Sequence, residues 1–333
     1  MKTILGDKRL FFLLFVGALG GFQCSYSGEL KVPQFLRSLP VQSHGRIMPL
    51  ESFAIEMLIE VTGRQRMKGE DPVVTVMNWM SDPGGAWDIP LFNIGYEPLR
   101  RDLGLSLEQR KFSLNDLLSR RRLMQLASES ARIKEQNGKP TKMQGEAEKL
   151  LGKMGSLYAL TTRQTPRLIP QPNEQNGLWI ALSEGDKSTG DSGAMGIALV
   201  MEGLLNAWKR GDEAQVNLFA KDLNHLIEVR WNPDPIARKR FDGEVLYNRW
   251  RPIFWARSLY LGALLVLIGS LIGYPNIMVK IAQWLVSLGF LVHSGSLGLR
   301  AYIGGRAPWS NFYESLLTVS ALLVLLGFIF AYR

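Results

Sequence analysis

Residues Leu299 to Leu317 read LRAYIGGRAPWSNFYESLL, a polar stretch with two adjacent Gly and one Pro, set between two apolar runs. Upstream, Ile281 to Leu299 is uncharged over 19 residues; downstream, Ser315 to Tyr332 is uncharged over 18; Ser258 to Tyr274 adds a third such run of 17. A helix needs about 20 apolar residues to cross about 30 Å of hydrocarbon. One such run is compatible with a buried core helix. Three in tandem, separated by Tyr274-Pro275-Asn276 and by the polar loop, predict spans at about 255–274, 278–299 and 314–332. The mean hydropathy of zero is then a mixture of two compositions, polar up to about Trp250 and apolar beyond it.

A fourth apolar run lies at the N-terminus. Lys2, Lys8 and Arg9 precede Leu10 to Phe22, which is short for a span, and Ser25-Tyr26-Ser27 before Gly28 forms a small-x-small cleavage pattern. Residues 1–27 read as a secretory signal peptide, with an uncleaved signal anchor as the alternative. Cys24 is the only cysteine, which excludes an internal disulfide, a thiol-exchange C-x-x-C pair and covalent haem capture by C-x-x-C-H. The reading divides the chain into the signal, an exported domain over 28–250 and a transmembrane region over 251–333.

Charge opposes that orientation. Arg238, Lys239, Arg240, Arg249, Arg251 and Arg257 cluster before the first span, and Arg300 and Arg306 fall on the same side after the second, where a positive-inside count places cytoplasm. Long domains translocate largely regardless of charge, so the signal is given more weight. The net charge of +9 points to anionic headgroups or an anionic ligand. No basic and aromatic groove pattern indicates nucleic acid.

The exported region reads as mainly helical. Ser113-Leu114-Asn115-Asp116 has the form of a capping box, followed by a long polar helix to about Gln136, which Asn137-Gly138-Lys139-Pro140 ends. Another helix is expected from Lys142 to about Leu160. Met195 to Trp208 and Glu213 to Val229 form a helical hairpin across Arg210-Gly211-Asp212, because Val216, Phe219, Ala220, Leu223 and Ile227 keep to one face. Thr162 to Ala194, rich in Pro, Gly, Ser and Asn, reads as loop with a short strand near Leu178 to Leu182.

Soluble chemistry is sparse. Gly190-Asp191-Ser192-Gly193 has the form of a serine-protease nucleophile loop, yet only His44 and His225 stand outside the membrane and the region is helical where that fold needs two barrels. Gly185-Asp186-Lys187-Ser188 lacks the spaced first Gly of a phosphate-binding loop. No catalytic residue and no metal ligand set is assigned.

The membrane region is more informative. His293 lies inside the second run, where an ionisable side chain is costly and faces a bundle interior, or is satisfied by a neighbouring backbone carbonyl. Glu314 opens the third run, where the positive helix terminus favours an anion. Trp309, Tyr302 and Tyr313 suit a headgroup-level aromatic belt. In the functional reading, Trp309, Asn311, Tyr313 and Glu314 rim a site for a flat, partly apolar ligand.

Leu299-Arg300 followed by Pro308-Trp309-Ser310-Asn311-Phe312-Tyr313-Glu314-Ser315-Leu316 resembles the early membrane segment of the CcsA/ResC-type proteins of system II cytochrome c biogenesis. Upstream, Leu39-Pro40-Val41-Gln42, Gly45-Arg46, Pro49-Leu50, Trp87, Pro90-Leu91 and Glu244-Val245-Leu246-Tyr247-Asn248 are similar to the periplasmic extension of the long, fused members. The resemblance implies a mainly α chain, an exported helical domain followed by three transmembrane helices of a larger bundle, in the inner (cytoplasmic) membrane. It implies haem delivery and attachment to apocytochrome c at the outer face, with a ResB-type partner or fused segment and with membrane lipid. Haem-site support then falls to Trp309, Asn311, Tyr313, Glu314 and His293. Family members continue into a tryptophan-rich loop flanked by external haem-ligating His, and many carry His where this chain has Arg306. The chain therefore reads as the N-terminal portion, binding haem only together with the missing segment or a partner. Activity would belong to a haem lyase complex. The alternative is a membrane-anchored periplasmic binding or scaffold protein unrelated to haem.

This topology is testable by phosphatase fusion. Fusions after Gly193 and after Gly305 are both expected to be active, with Arg333 cytoplasmic. Activity in the reverse orientation alone would show that the charge bias decides.

Overall fold

The computed structural model describes residues 32–171, 177–185, 191–271, 275–305, 307, 309 and 312–331. The predicted signal and Cys24 lie outside them, as do Arg306, Asn311 and Arg333. The chain forms two compact units, Leu30–Asp234 and Pro235–Arg333. The architecture is mainly α, ending in three helices long and apolar enough to cross a membrane. The sequence boundary at residue 250 falls inside the second unit, because the helix Pro235–Trp250 packs against a later membrane helix.

The first unit opens with α1 (Gln34–Arg37), β1 (Pro40–Ser43) and β2 (Arg46–Pro49). β1 and β2 pair antiparallel, with Pro40 opposite Pro49 and Ser43 opposite Arg46. Their two-residue turn places His44 at φ 49° and Gly45 at φ 75°. Positive φ at both central positions matches the right-handed twist of the flanking strands. The segment that resembles the fused-family extension is thus a hairpin, which the helical reading of this region did not include. Its strands escape pattern recognition because β1 is buried at all four positions and shows no alternation.

Helices α2 (Leu50–Thr62), α3 (Pro72–Ser81) and α4 (Pro83–Asp88) follow, then β3 (Phe92–Asn93), α5 (Glu97–Asp102), β4 (Lys111–Phe112), α6 (Leu114–Leu118), α7 (Arg121–Glu135) and α8 (Lys142–Thr161). Gly63 ends α2 in the left-handed region, at φ 73°, which costs glycine little. The Ser113 capping box is present, and Thr141 with Gln144 forms a second at the start of α8. The long helix expected from 114 to 136 is instead broken at Ser119-Arg120, where Arg120 leaves helical geometry (ψ 83°). The buried Leu117 and Leu123 explain the break. Six residues of continuous helix would separate them by about 240°, so the interruption is what lets both face the core.

The unit closes with β5 (Arg167–Ile169), β6 (Ile180–Ala181), α9 (Leu182–Gly185), α10 (Ser192–Arg210) and α11 (Glu213–Arg230). The four-stranded antiparallel sheet runs β2-β1-β5-β6, so the loop read from 162 to 194 supplies two strands rather than one. Gln42 of β1 fastens the segment before β6: its amide donates to the Gly177 carbonyl (3.1 Å) and its Oε1 accepts from the Trp179 N–H (2.7 Å). α2 packs on α3 and α8, α7 on α8, and α10 on α11 and α3. Phe53, Met77, Trp79, Leu157, Leu160 and Leu204 are almost wholly buried there. At about 1.5–3 kcal/mol per large apolar side chain, such burial is the unit's main stabilisation.

Asp191 and Ser192 of the protease-like string prove to be helix architecture. Asp191 caps α10 by accepting from the Ala194 N–H at 3.0 Å, and pairs with both terminal nitrogens of Arg230 at the end of α11. Arg230 Nε also donates to the Pro170 carbonyl at 2.5 Å. His225 is exposed on α11, two residues beyond the buried Leu223 and thus about 200° round the helix from it.

The second unit comprises α12 (Pro235–Trp250), α13 (Pro252–Ser270), α14 (Pro275–Gly304) and α15 (Phe312–Ala331). Pro252 at the first position of α13 and a left-handed Arg251 (φ 47°) separate α12 from α13. α13 and α14 pack closely along small residues. A Cβ on Gly289 would lie 2.9 Å from Tyr260 Cε1, and Ala256, Ala263 and Ala282 are buried in the same unit. Close approach through small side chains is how helices gain van der Waals contact where lipid removes the hydrophobic driving force. α15 joins α14 through an edge-on Phe290–Phe328 contact at 5.7 Å.

The Arg230 guanidinium holds the Asp191 carboxyl below the ordinary carboxylate range, helped by the Ala194 N–H. A lowered carboxyl pKa gives stability that is present above the unfolded value and is lost as pH falls through the folded one. Asp191→Asn keeps a capping side chain but loses the ion pair. Its stability deficit against the parent, measured by urea denaturation, should be largest at neutral pH and should shrink below about pH 4.

Candidate functional site

The second unit concentrates its polar chemistry on one stripe of α14. His293, Ser296 and Arg300 follow at spacings of three and four residues, which places them on a common helix face. Each meets a different neighbour. Tyr260 of α13 lies edge-on to His293 at 6.1 Å, its hydroxyl 3.5 Å from Nδ1. Ser296 Oγ donates to the Tyr247 hydroxyl of α12 at 3.4 Å. Arg300 Nη2 donates to Glu314 Oε1 of α15 at 3.0 Å.

Arg300 is the hub of the stripe. Its guanidinium lies 5.6 Å from the Tyr247 ring and 5.5 Å from the Tyr313 ring, so two aromatic faces and one carboxylate surround the cation. Glu314, only 6% exposed, is the better buried partner. Helices α12, α14 and α15 therefore converge on one side chain. Close packing of α12 permits this, since a Cβ on Gly243 would stand 3.5 Å from Ile303 and 3.7 Å from Leu299.

The expected site residues divide into groups. Tyr313 and Glu314 come together on Arg300. Trp309 is 62% exposed and enters only through its backbone carbonyl, which accepts from Ser315 Oγ at 3.1 Å. Asn311 lies outside the described residues. His293 is 4% exposed, two helical turns from Arg300 and against a different helix, and its Nε2 has no hydrogen-bond partner among the described residues. The Tyr260 hydroxyl, not a backbone carbonyl, is the neighbour of its other nitrogen.

Arg300 and Tyr247 are the residues that sequence reasoning did not single out as a pair. A signal existed: both belong to the strings that carry the family resemblance, and Arg300 repeats the His293 face. Their contact spans 53 positions, which no local pattern reports.

The described residues of the first unit enclose cavities of about 320 and 440 Å³. The larger is lined by His44, Glu60, Ser156 and Arg167 over Gly152 and Gly155. Among the described residues no three His, Cys, Asp or Glu side chains are grouped to hold a metal ion.

Removing the Glu314 carboxylate leaves Arg300 partly buried and unpaired. Glu314→Ala should destabilise the detergent-solubilised chain by about 2 kcal/mol, less than the ~3–5 kcal/mol of a fully buried pair because Arg300 retains some exposure. Trp309→Ala should cost far less. The pair Arg300→Met with Glu314→Leu should recover most of the loss, read as the midpoint of thermal unfolding.

No family model matches the chain. The chain is 24% identical over 295 residues to Protein NrfI of Wolinella succinogenes, a match that takes in 83% of this chain and 31% of that protein. The chain thus corresponds to less than a third of the relative's length, and the match is longer than either compact unit, so it draws on both.

Proposed function

We propose that this chain is a component of the system II cytochrome c maturation machinery, with residues 28–250 exported and the three apolar helices in the inner membrane. In this reading it supports haem delivery and attachment to apocytochrome c at the outer face. The observation that carries the proposal is the Arg300–Glu314 pair between Tyr247 and Tyr313. Ionisable groups at a membrane helix are costly and are retained at functional positions, and these lie within the strings that resemble the CcsA/ResC-type proteins. The likeness to Protein NrfI supports treating both units as parts of one assembly, because it runs through both.

The residues present do not make a haem site on their own. Haem iron is held chiefly by axial ligands, and His293 is the sole histidine of the second unit. Its free nitrogen is buried between helices rather than presented at a surface. Axial ligation therefore belongs to a segment outside this chain or to a ResB-type or fused partner, and the whole would act as the haem lyase. This chain's part is positional: Glu314 orients the Arg300 guanidinium, the tyrosine rings flank it, and Trp309, three residues before α15, offers an exposed flat apolar surface.

Cells supplying the remaining segment provide the test. Glu314→Gln and Trp309→Ala should each lower cytochrome c maturation per folded molecule several-fold, while Trp309→Phe keeps most of it. A headgroup belt behaves differently, because interfacial aromatics anchor depth rather than carry specificity: maturation would then fall only as protein abundance falls. Equal maturation per folded molecule in all three variants would remove the case for a site here.

A further inference from the structure

The bend between α12 and α13 carries cations that nothing in the described protein neutralises. Arg249, Arg251 and Arg257 are all exposed, and among the described residues none is paired with a carboxylate. Arg238, earlier in α12, is by contrast matched to Asp242 at 3.2 Å. Arg257 lies 5.7 Å from the Phe254 ring and also acts electrostatically on Tyr313, an aromatic ring and a phenol rather than a carboxylate. Between these cations stand two exposed indoles, Trp250 at 67% and Trp255 at 54%.

The backbone concentrates this cluster. Pro252 cannot continue the hydrogen bonding of α12, and Arg251 takes a left-handed conformation that is unfavourable for a residue with a Cβ. The chain therefore turns between Arg249 and Arg257. From Ser258 onward the chain is uncharged for 17 residues, through the end of α13, so the guanidinium groups sit within about two to three turns of the start of an apolar run. Guanidinium and indole side chains at that depth match the headgroup layer, where indoles sit among ester groups and cations among phosphates. An unbalanced positive cluster there selects for net negative lipid.

We propose that the α12–α13 bend binds anionic phospholipid, with Arg249, Arg251 and Arg257 taking the headgroup phosphate and Trp250 and Trp255 the interfacial layer beneath it. The proposal does not depend on any role in cytochrome c maturation. It also gives the positive cluster a partner on whichever face of the membrane it lies.

Native mass spectrometry of the full detergent-solubilised chain, titrated with phosphatidylglycerol or phosphatidylcholine, tests the proposal. The parent chain should retain phosphatidylglycerol preferentially. Each of Arg249→Gln, Arg251→Gln and Arg257→Gln should lower that retention about fivefold, in line with the usual effect of one cation at an anionic surface. Arg132→Gln with Lys139→Gln, exposed cations of the other unit, should leave it unchanged. Circular dichroism identifies any variant that fails to fold, and the remaining single variants then carry the comparison. Equal retention of the two lipids, a full preference in folded variants, or displacement of phosphatidylglycerol by millimolar inorganic phosphate would each overturn the assignment.

Discussion

A guanidinium among apolar helices must be compensated by its own neighbours, because hydrocarbon offers neither charge nor hydrogen bonds. Arg300 meets this constraint with a carboxylate from α15, a tyrosine face from α12 and another from the start of α15. The second unit is organised around that requirement. α13 and α14 need no such pin, since Gly289 and the alanines let their backbones approach closely. α15 has little buried surface, and Arg300 and Phe290 are its main points of attachment.

The first unit is built by ordinary soluble-protein means. Caps at Ser113, Thr141, Asp191 and Asp212 start its helices, and left-handed glycines at 63 and 211 end two of them. Its irregular part is the sheet, whose strands are two to four residues long. Such strands hold together through side chains as much as through ladders, and Gln42, with both amide atoms bonded to residues 177 and 179, shows how.

Where local chemistry is strong, the structure was legible in advance. α8, α10 and α11 stand close to where they were expected, α11 because Val216, Ala220, Leu223 and Ile227 keep to one buried face. The three apolar helices follow from run length alone. What could not be read depends on distant partners. The break at Arg120 serves a core formed elsewhere in the chain, and the β1–β2 hairpin has no alternation to detect because both faces of β1 are covered. In the candidate site, Glu314 was recognised by its place at a helix start, but its role came from Arg300 across a loop, and that of Arg300 in turn from Tyr247 in another helix. Trp309, which the motif made prominent, lies largely outside this network.

The order of synthesis gives the Arg300–Glu314 pair a further significance. The arginine leaves the ribosome 14 residues ahead of its carboxylate, and chain elongation proceeds at about 5–20 residues per second. For roughly a second, then, Arg300 runs ahead of its counter-charge along the growing chain. The two are joined only when the first turn of α15 has been made, so the pairing that holds α14 to α15 depends on the last helix of the described chain.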